Sequence, residues 1–209
     1  MTTLLVTGFG PFPGAPFNPT GPLVARIKRM RRPRLADVTI VTHVFPTSYA
    51  AVERDLPNLI AQHRPDALLM FGLATRAKRL RIETRARNAL ALLPDATSAS
   101  LRRHAIAPGG PAALKMPAPA RGLLAAARGA DVPAALSRDA GRYLCNYLCW
   151  RAAEAVAQHK GPRLAAFIHV PLVARNARPR RAAEARVTLN DLARAGNSLL
   201  IALAAAARR

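Results

Sequence analysis

The sequence predicts an α/β fold, a three-layer α/β/α sandwich around a mostly parallel (mixed) central sheet. Short apolar and β-branched runs alternate with longer segments of helical periodicity, which is the pattern of successive β-α-β units. The chain has 209 residues, and no internal repeat or linker divides it. We therefore predict one domain over residues 1–209, long enough to bury a full hydrophobic core without disulfides or metals.

Each predicted strand is a short apolar or β-branched run. These runs are residues 3–7, 37–45, 66–72, 132–136 and 164–170. Residues 80–90 predict a further strand with polar side chains at its outward positions. Between residues 97 and 119 the signal weakens, because Pro and Gly residues interrupt it and mark loops.

Each predicted helix has apolar residues at helical spacing. The helices cover residues 18–28, 48–63, 121–128, 140–159 and 187–207. Asn18 followed by Pro19 has the pattern of an N-cap and a first-turn proline. A basic loop interrupted by proline is predicted at residues 175–181.

The composition argues against a disordered chain and against a membrane-spanning one. Apolar residues make up 51% of the chain and the mean hydropathy is +0.06, which is enough for a core. No run reaches the ~18 apolar residues of a membrane helix. The N-terminal residues have neither the basic start nor the long apolar run of a secretory signal. We therefore expect a cytoplasmic protein without a membrane partner.

The chain is strongly basic, with 32 Lys and Arg against 11 Asp and Glu and a formal net charge of +21. Such an excess indicates a nucleic-acid partner when it gathers in one patch. Here nearly all the basic residues are Arg, and they lie scattered along an Ala-rich chain, a composition typical of coding bias. We therefore expect no nucleic-acid partner in spite of the charge.

Two cysteines, Cys145 and Cys149, lie four residues apart in one predicted helix. This spacing is poor disulfide geometry and supplies too few ligands for zinc, so we expect no metal and no other cofactor. Cys145 lies near the start of its helix, where unpaired backbone N–H groups and the helix dipole favour the thiolate. That position makes it the best candidate for a nucleophile.

A nucleophilic cysteine needs a base, and the base needs a third group that fixes its tautomer. His169 lies near the end of a predicted strand, and Glu83 is one of few acids in the chain. Ordinary structural roles are also open for each residue, namely a buried thiol, a hydrogen-bonded histidine and an ion pair with Arg81 or Arg85. Spacing alone does not decide, because it does not show which residues are adjacent in the fold.

Several segments resemble the pyroglutamyl peptidase I family of cysteine peptidases. LLVTGFGPFPGAPFNPTGPL at residues 4–23 is similar to the opening TGFxPFxG motif of that family and the turn that follows it. The segment around the family's nucleophile is similar to ALSRDAGRYLCN at residues 135–146. The segment that carries its catalytic histidine is similar to AAFIHVP at 165–171, and the segment that carries its acid is similar to RIETRARN at 81–88. GGPAALKMPAP at 109–119 also resembles a family segment. The resemblance extends in order from residue 1 to about residue 172.

The resemblance implies that the chain removes N-terminal pyroglutamate (5-oxoproline) from peptides. Cys145 would attack the carbonyl of the lactam residue, His169 would act as base and then as acid, and Glu83 would orient His169. The implied substrate-binding residues are Phe9, Phe12, Asn18, Thr47, Leu73, Tyr143 and Leu144. Phe9 and Phe12 would lie against the ring, although ordinary packing would equally explain them. The resemblance also implies a homo-oligomer, either a dimer or a tetramer.

Two segments depart from the family pattern. Leu73 stands where the family has the Gln of its G-Q-A-G-G-R segment, and its side chain can neither donate nor accept a hydrogen bond. Leu92 and Leu93 precede Pro94-Asp95, where the family has an Arg that is thought to stabilise the oxyanion. Candidates to replace that Arg are Arg76, Arg85 and Arg87.

Three functions follow, of which we favour the first. The first is a cysteine omega peptidase that removes pyroglutamate. The second is a diverged family member acting on another small N-acyl or lactam amide, an alternative motivated by Leu73. The third is a non-catalytic basic binding protein on the same scaffold, against which the joint presence of Cys145, His169 and Glu83 argues.

Overall fold

A computed structural model describes residues 1–12, 14–30, 33–159, 161–173 and 187–209. The predicted basic loop at 175–181 lies outside these residues. The strands are β1 (Thr2–Phe9), β2 (Val38–Phe45), β3 (Ala67–Leu73), β4 (Leu80–Glu83), β5 (Arg85–Arg87), β6 (Ala113–Lys115), β7 (Ala134–Ser137) and β8 (Leu164–Val170). The helices are α1 (Thr20–Arg29), α2 (Tyr49–His63), α3 (Ala120–Arg128), α4 (Leu144–Ala157) and α5 (Leu189–Ala207).

The strands form one large mixed sheet in the order β2-β1-β3-β8-β4-β7. All neighbours in it are parallel except β4 and β8, which pair antiparallel. β5 and β6 form a separate antiparallel pair. The predicted mostly parallel sheet is confirmed.

Helices cover both faces of the sheet, as predicted. One core cluster joins α1, α3 and α5 to one face, and a second joins α2 and α4 to the other. Alternate residues of each strand therefore face different helices. In β8, for example, Ile168 and Val170 face the first cluster and Phe167 faces the second. His169 shares the face of Phe167, so it points toward the layer of α2 and α4.

The topology predicts a ligand crevice at the carboxyl ends of the strands, between β1 and β3. The chain leaves β1 toward β2 on one side and then crosses to β3 on the other, which is a topological switch point. The pairing of β1 with β3 ends at Thr7 and Met70, although both strands continue beyond it. Ligands of open α/β sheets bind in such crevices, outside the carboxyl ends of the strands.

Two sequence predictions were wrong in detail. The strand predicted over 80–90 is two strands, because the chain leaves the large sheet after Glu83. Arg85–Arg87 then pair with Ala113–Lys115, a strand that was not predicted because Pro and Gly residues surround it in the sequence. The helix predicted from residue 140 begins at Leu144. Residues before it form a turn in which Gly141 has a φ of +82° and Asp139 Oδ1 accepts from the Gly141 N–H.

Side-chain caps fix the starts of two other helices. Ser48 Oγ accepts a hydrogen bond from the Ala51 N–H at the start of α2. At the start of α5, Thr188 and Asp191 form a capping box. Within the described residues, no helix is long and apolar enough to span a bilayer.

Candidate active site

The structure brings Cys145, His169 and Glu83 together. His169 Nδ1 donates a hydrogen bond to Glu83 Oε1 at 2.8 Å, and Cys145 lies close enough to the same imidazole to raise its pKa. Cys145 is half-buried, whereas His169 is 5% exposed and Glu83 only 1% exposed. The three side chains thus form a line from a partly accessible sulfur to a buried carboxylate.

Strand register explains why Glu83 reaches His169. In the antiparallel pair of β4 and β8, Arg81 lies opposite His169 and Glu83 lies opposite Phe167. Glu83 is therefore the diagonal neighbour of His169 on the same face of the sheet, within reach of a long side chain. The antiparallel strand in an otherwise parallel sheet is what makes this pairing possible.

The start of α4 places Cys145 over the carboxyl end of β8. Cys145 is the second residue of the helix, so its thiol lies beside the unpaired N–H groups of the first turn. The helix follows Tyr143, which has an extended backbone and whose side chain does not cap the first turn. This N-terminus is therefore available to stabilise negative charge at the sulfur or at a substrate oxygen.

The charges around His169 decide its protonation. Burial alone lowers the pKa of His169, but the charge and hydrogen bond of Cys145, together with those of Glu83, outweigh burial and raise that pKa to about 9. At neutral pH the imidazole is therefore protonated next to the sulfur. A protonated imidazole stabilises a thiolate, which is the reactive form of cysteine.

The floor of the site is formed by β3 and β8. Gly72 is opposite His169 in the register of these strands, and its missing side chain leaves the space that the Cys145 sulfur occupies. The Phe167 ring packs edge-on against the His169 ring with centroids 5.0 Å apart. These contacts restrict the imidazole on two sides.

Asn146 is a buried residue of the site that the sequence analysis did not single out. Its Nδ2 donates to the carbonyls of Arg87 and Ala89, and its Oδ1 accepts from the Arg87 N–H at 2.8 Å. It therefore ties β5 to the first turn of α4, next to the nucleophile. The available signal was its place directly after Cys145 in the matched segment.

The loop after β1 is held by two residues that the resemblance implied. Asn18 Nδ2 and Thr47 Oγ1 both donate to the Gly10 carbonyl at 3.0 Å. Asn18 Oδ1 also accepts from the Thr20 N–H at 3.1 Å, as an N-cap does, although α1 begins only at Thr20. Both side chains thus organise the backbone of the loop that follows β1.

The other implied substrate residues differ in accessibility. Phe9 is 2% exposed and its ring lies 5.8 Å from that of Phe45, so it is part of the core. Phe12 is half-buried in a small bridge with Ala15. Leu73, at the end of β3, is also half-buried.

The helix start contributes the last two implied residues. The Tyr143 hydroxyl donates to the Pro94 carbonyl at 3.0 Å, and Leu144 is buried. Tyr143 therefore links the first turn of α4 to the loop after residue 90. That loop is held by Asp95, which accepts from the N–H groups of Tyr49, Thr97 and Ala99.

The arginines considered as substitutes for the family Arg have other partners or are exposed. Arg85 Nε donates to the Arg138 carbonyl at 2.7 Å, and Arg87 Nη1 lies 3.3 Å from Asp139 Oδ1. Arg76 is exposed in the turn after β3. Among the residues with described positions, no cluster of His, Cys, Asp and Glu could hold a metal ion.

A cysteine, a histidine and a carboxylate in this contact series, on an α/β/α sandwich, define a cysteine-type hydrolase. Comparison with known proteins identifies the family. The family profile described as pyroglutamyl peptidase matches residues 2–208, and the chain belongs to that family. The predicted resemblance is thereby confirmed.

Individual relatives agree with this assignment. The pyrrolidone-carboxylate peptidase of Pyrococcus furiosus is 30% identical over 171 residues, which cover 81% of each chain. Pyrrolidone-carboxylate peptidase 1 of Ralstonia nicotianae is 34% identical over 172 residues, covering 82% of this chain and 79% of the relative. The crystal structure of Bacillus amyloliquefaciens pyroglutamyl peptidase I superposes with a TM-score of 0.83 at 26% identity, over 98% of each chain. The chain is a cysteine-type peptide hydrolase.

Proposed function

We propose that this protein removes the N-terminal pyroglutamyl residue from peptides through an acyl-enzyme on Cys145. The observation that carries the proposal is the contact series from Cys145 through His169 to Glu83. Family membership supports the substrate, because the relatives are named for the pyrrolidone-carboxylate peptidase activity.

The reaction proceeds in two half-reactions. The Cys145 thiolate attacks the carbonyl carbon that links the 5-oxoproline residue to the next residue, so that a C–S bond forms and the carbonyl electron pair moves onto oxygen. The C–N bond then breaks, and His169 gives its proton to the departing amine. Water next loses a proton to His169 and attacks the thioester, after which the C–S bond breaks and pyroglutamate leaves.

The first turn of α4 is the proposed source of oxyanion stabilisation. Its N–H groups, including that of Cys145, carry the positive end of the helix dipole and need no reorganisation when charge develops. This arrangement gives the site a donor in the absence of an Arg at Leu92 or Leu93. Loss of one such donor typically costs ~3 kcal/mol of transition-state stabilisation.

The lactam ring is neutral and compact, which suits a crevice with apolar walls and a few backbone hydrogen bonds. We propose that Phe12 and Leu73 contact the ring at the mouth of this crevice, since both are half-buried, Phe12 follows β1 and Leu73 ends β3. Phe9, Asn18 and Thr47 would shape that mouth from within. Tyr143 and Leu144 would complete it at the helix start.

The test is release of a chromogenic amine from an L-pyroglutamyl amide. Wild type and Cys149→Ala should cleave it, because Cys149 is fully buried and burial raises its pKa well above the ordinary thiol value. Cys145→Ala should not. Folded wild type that leaves this amide intact but cleaves another small N-acyl amide would transfer support to the diverged-substrate alternative that Leu73 motivates.

We also propose a homo-oligomer, on the strength of the family resemblance, and a cytoplasmic protein, as the composition and the N-terminal sequence led us to expect. Light scattering coupled to size-exclusion chromatography would test the oligomeric state. A monomer at micromolar concentration would contradict it.

A further inference from the structure

We propose that Arg81 is a positioning residue of this site: it supplies the counter-charge for Glu83 and sets the pH range over which the Cys145–His169 pair works. The proposal rests on the proposed function, because it assigns Arg81 a role in the same catalytic series. Arg81 does not touch the reacting atoms and acts through Glu83.

The contacts place Arg81 against the carboxylate oxygen of Glu83 that binds His169. Arg81 Nε lies 3.4 Å from Glu83 Oε1, the same oxygen that accepts from His169 Nδ1. In the strand register Arg81 is also directly opposite His169. One carboxylate oxygen is therefore shared between an arginine and the imidazole.

The guanidinium is itself fixed from behind. Arg81 Nη2 and Nε donate to Ser137 Oγ at 2.7 and 3.2 Å, and Nη2 also donates to the Asp139 carbonyl at 2.5 Å. Three hydrogen bonds to β7 and to the turn after it thus fix the orientation of the planar guanidinium group, whose Nε lies near Glu83. A lysine could supply the charge but not this planar fork.

A buried carboxylate needs such a partner. The Glu83 side chain is wholly buried, and its Oε2 has no hydrogen-bond partner in the part of the chain that the structure describes. An unpaired charge in that position would be costly. Arg81 is about one-third exposed, so it brings a cation to the buried carboxylate while its own charge stays partly hydrated.

The titratable groups that face this cluster come from two elements besides β4. They are Cys145 and Cys149 from α4 and His169 from β8. Beyond Arg81 lie Asp139 and Arg87. A positive charge disfavours the protonated form of each neighbour. Loss of the Arg81 charge should therefore shift the whole pH profile to higher pH, by about half a pH unit, because the partly exposed guanidinium is screened by water.

The experiment compares Arg81→Met and Arg81→Lys with wild type. Two profiles are measured against pH, kcat/KM on the pyroglutamyl amide and the rate at which iodoacetamide alkylates Cys145. Arg81→Met should shift both limbs of kcat/KM and the alkylation midpoint upward by about half a unit. Arg81→Lys should leave these midpoints in place, because the positive charge is kept. It should lower kcat about threefold to tenfold, because the paired hydrogen bonds from the guanidinium to Ser137 Oγ are lost.

The matched control is Arg128→Met. Arg128 lies on the opposite face of the sheet and donates to the Ala134 carbonyl of β7. Its replacement by Met therefore removes an equal charge and similar hydrogen bonds from a residue that does not face Glu83. Its profiles should overlay those of wild type. If Arg128→Met shifts them as far as Arg81→Met does, the effect is one of net charge and the proposal is wrong.

The alkylation profile separates this proposal from the proposed function. It reports the state of the Cys145–His169 pair without any substrate. An unchanged alkylation midpoint in folded Arg81→Met, or a shift in Arg81→Lys equal to that in Arg81→Met, would overturn the role of Arg81. Failure of wild type to cleave the pyroglutamyl amide would instead contradict the substrate, and the alkylation comparison would still decide on Arg81.

Discussion

Gly72 and Cys145 are packed so closely that no side chain fits between them. A Cβ at position 72 would lie 2.7 Å from the Cys145 sulfur and 2.5 Å from Cζ of Phe167. Because Gly72 is opposite His169 in the ladder, the strand backbone forms the wall against which the thiol and the imidazole meet. The glycine therefore determines where the nucleophile can lie.

Gly72→Ala should displace the sulfur and reduce kcat/KM by ~100-fold, since a shift of about 1 Å in a reacting group has that effect. It should also lower the free energy of unfolding by about 1–3 kcal/mol through overpacking. Gly122→Ala in α3 is the matched control, because its Cβ would meet only Pro119 at 4.0 Å. That variant should keep full activity and gain ~0.5–1 kcal/mol of stability. Equal activity of the two variants would contradict the packing argument.

Glu83→Gln should lower kcat/KM by ~10²–10⁴-fold while the protein stays folded, because a neutral amide no longer selects the productive tautomer of His169. The direction of the pH effect follows from the charges. Glu83 helps to raise the pKa of His169 to about 9, so removal of its charge should lower that pKa. The alkaline limb of the pH–activity profile should therefore move to lower pH. Kinetics between pH 5 and 10 would check this. An alkaline limb that stays in place would mean that Glu83 does not act on His169.

Asp95→Asn should destabilise the loop beside Tyr143 by about 1–3 kcal/mol at neutral pH, since an amide cannot accept from all the donors that Asp95 serves. Burial alone raises the pKa of Asp95, but hydrogen bonds from Thr97, Tyr49 and Ala99 outweigh it and lower the pKa. A carboxyl group whose pKa is lowered by folding stabilises the folded state at pH values above its unfolded pKa of 3.8. This stabilisation is lost as the pH falls through the pKa of the folded state.

Urea unfolding of wild type and Asp95→Asn at several pH values would measure this contribution. The difference in free energy of unfolding should be largest near pH 7 and shrink in acid. A difference that does not change with pH would show that the carboxylate charge of Asp95 is not involved.

The sequence predicted those features that depend on local pattern. The all-apolar run at 164–170 is the observed β8, because a strand buried on both faces leaves little ambiguity in periodicity. Cys145, His169 and Glu83 were also predicted, but only through matched segments. Nothing in their spacing showed that β4 would run antiparallel to β8, which is what makes Glu83 and His169 neighbours.

The parts that were missed depend on long-range contacts. Residues 80–90 have one continuous strand pattern, yet the chain breaks at Thr84, whose N–H and hydroxyl both donate to the Ser137 carbonyl. Arg81 was considered only as a flank of Glu83, since its partners Ser137 and Asp139 are more than 50 residues away in the chain. Asn146 was passed over for the same reason, because its three hydrogen bonds go to Arg87 on β5 and to Ala89 just after it.

The central claim is that hydrolysis passes through a thioester on Cys145. The most direct measurement is mass spectrometry of enzyme that has been mixed with a pyroglutamyl ester, quenched in acid within the first turnover and digested. One pyroglutamyl group should be found on the peptide that contains Cys145, and none should be found in Cys145→Ala. Turnover of the ester with no adduct in wild type, or an adduct that persists in Cys145→Ala, would contradict the account.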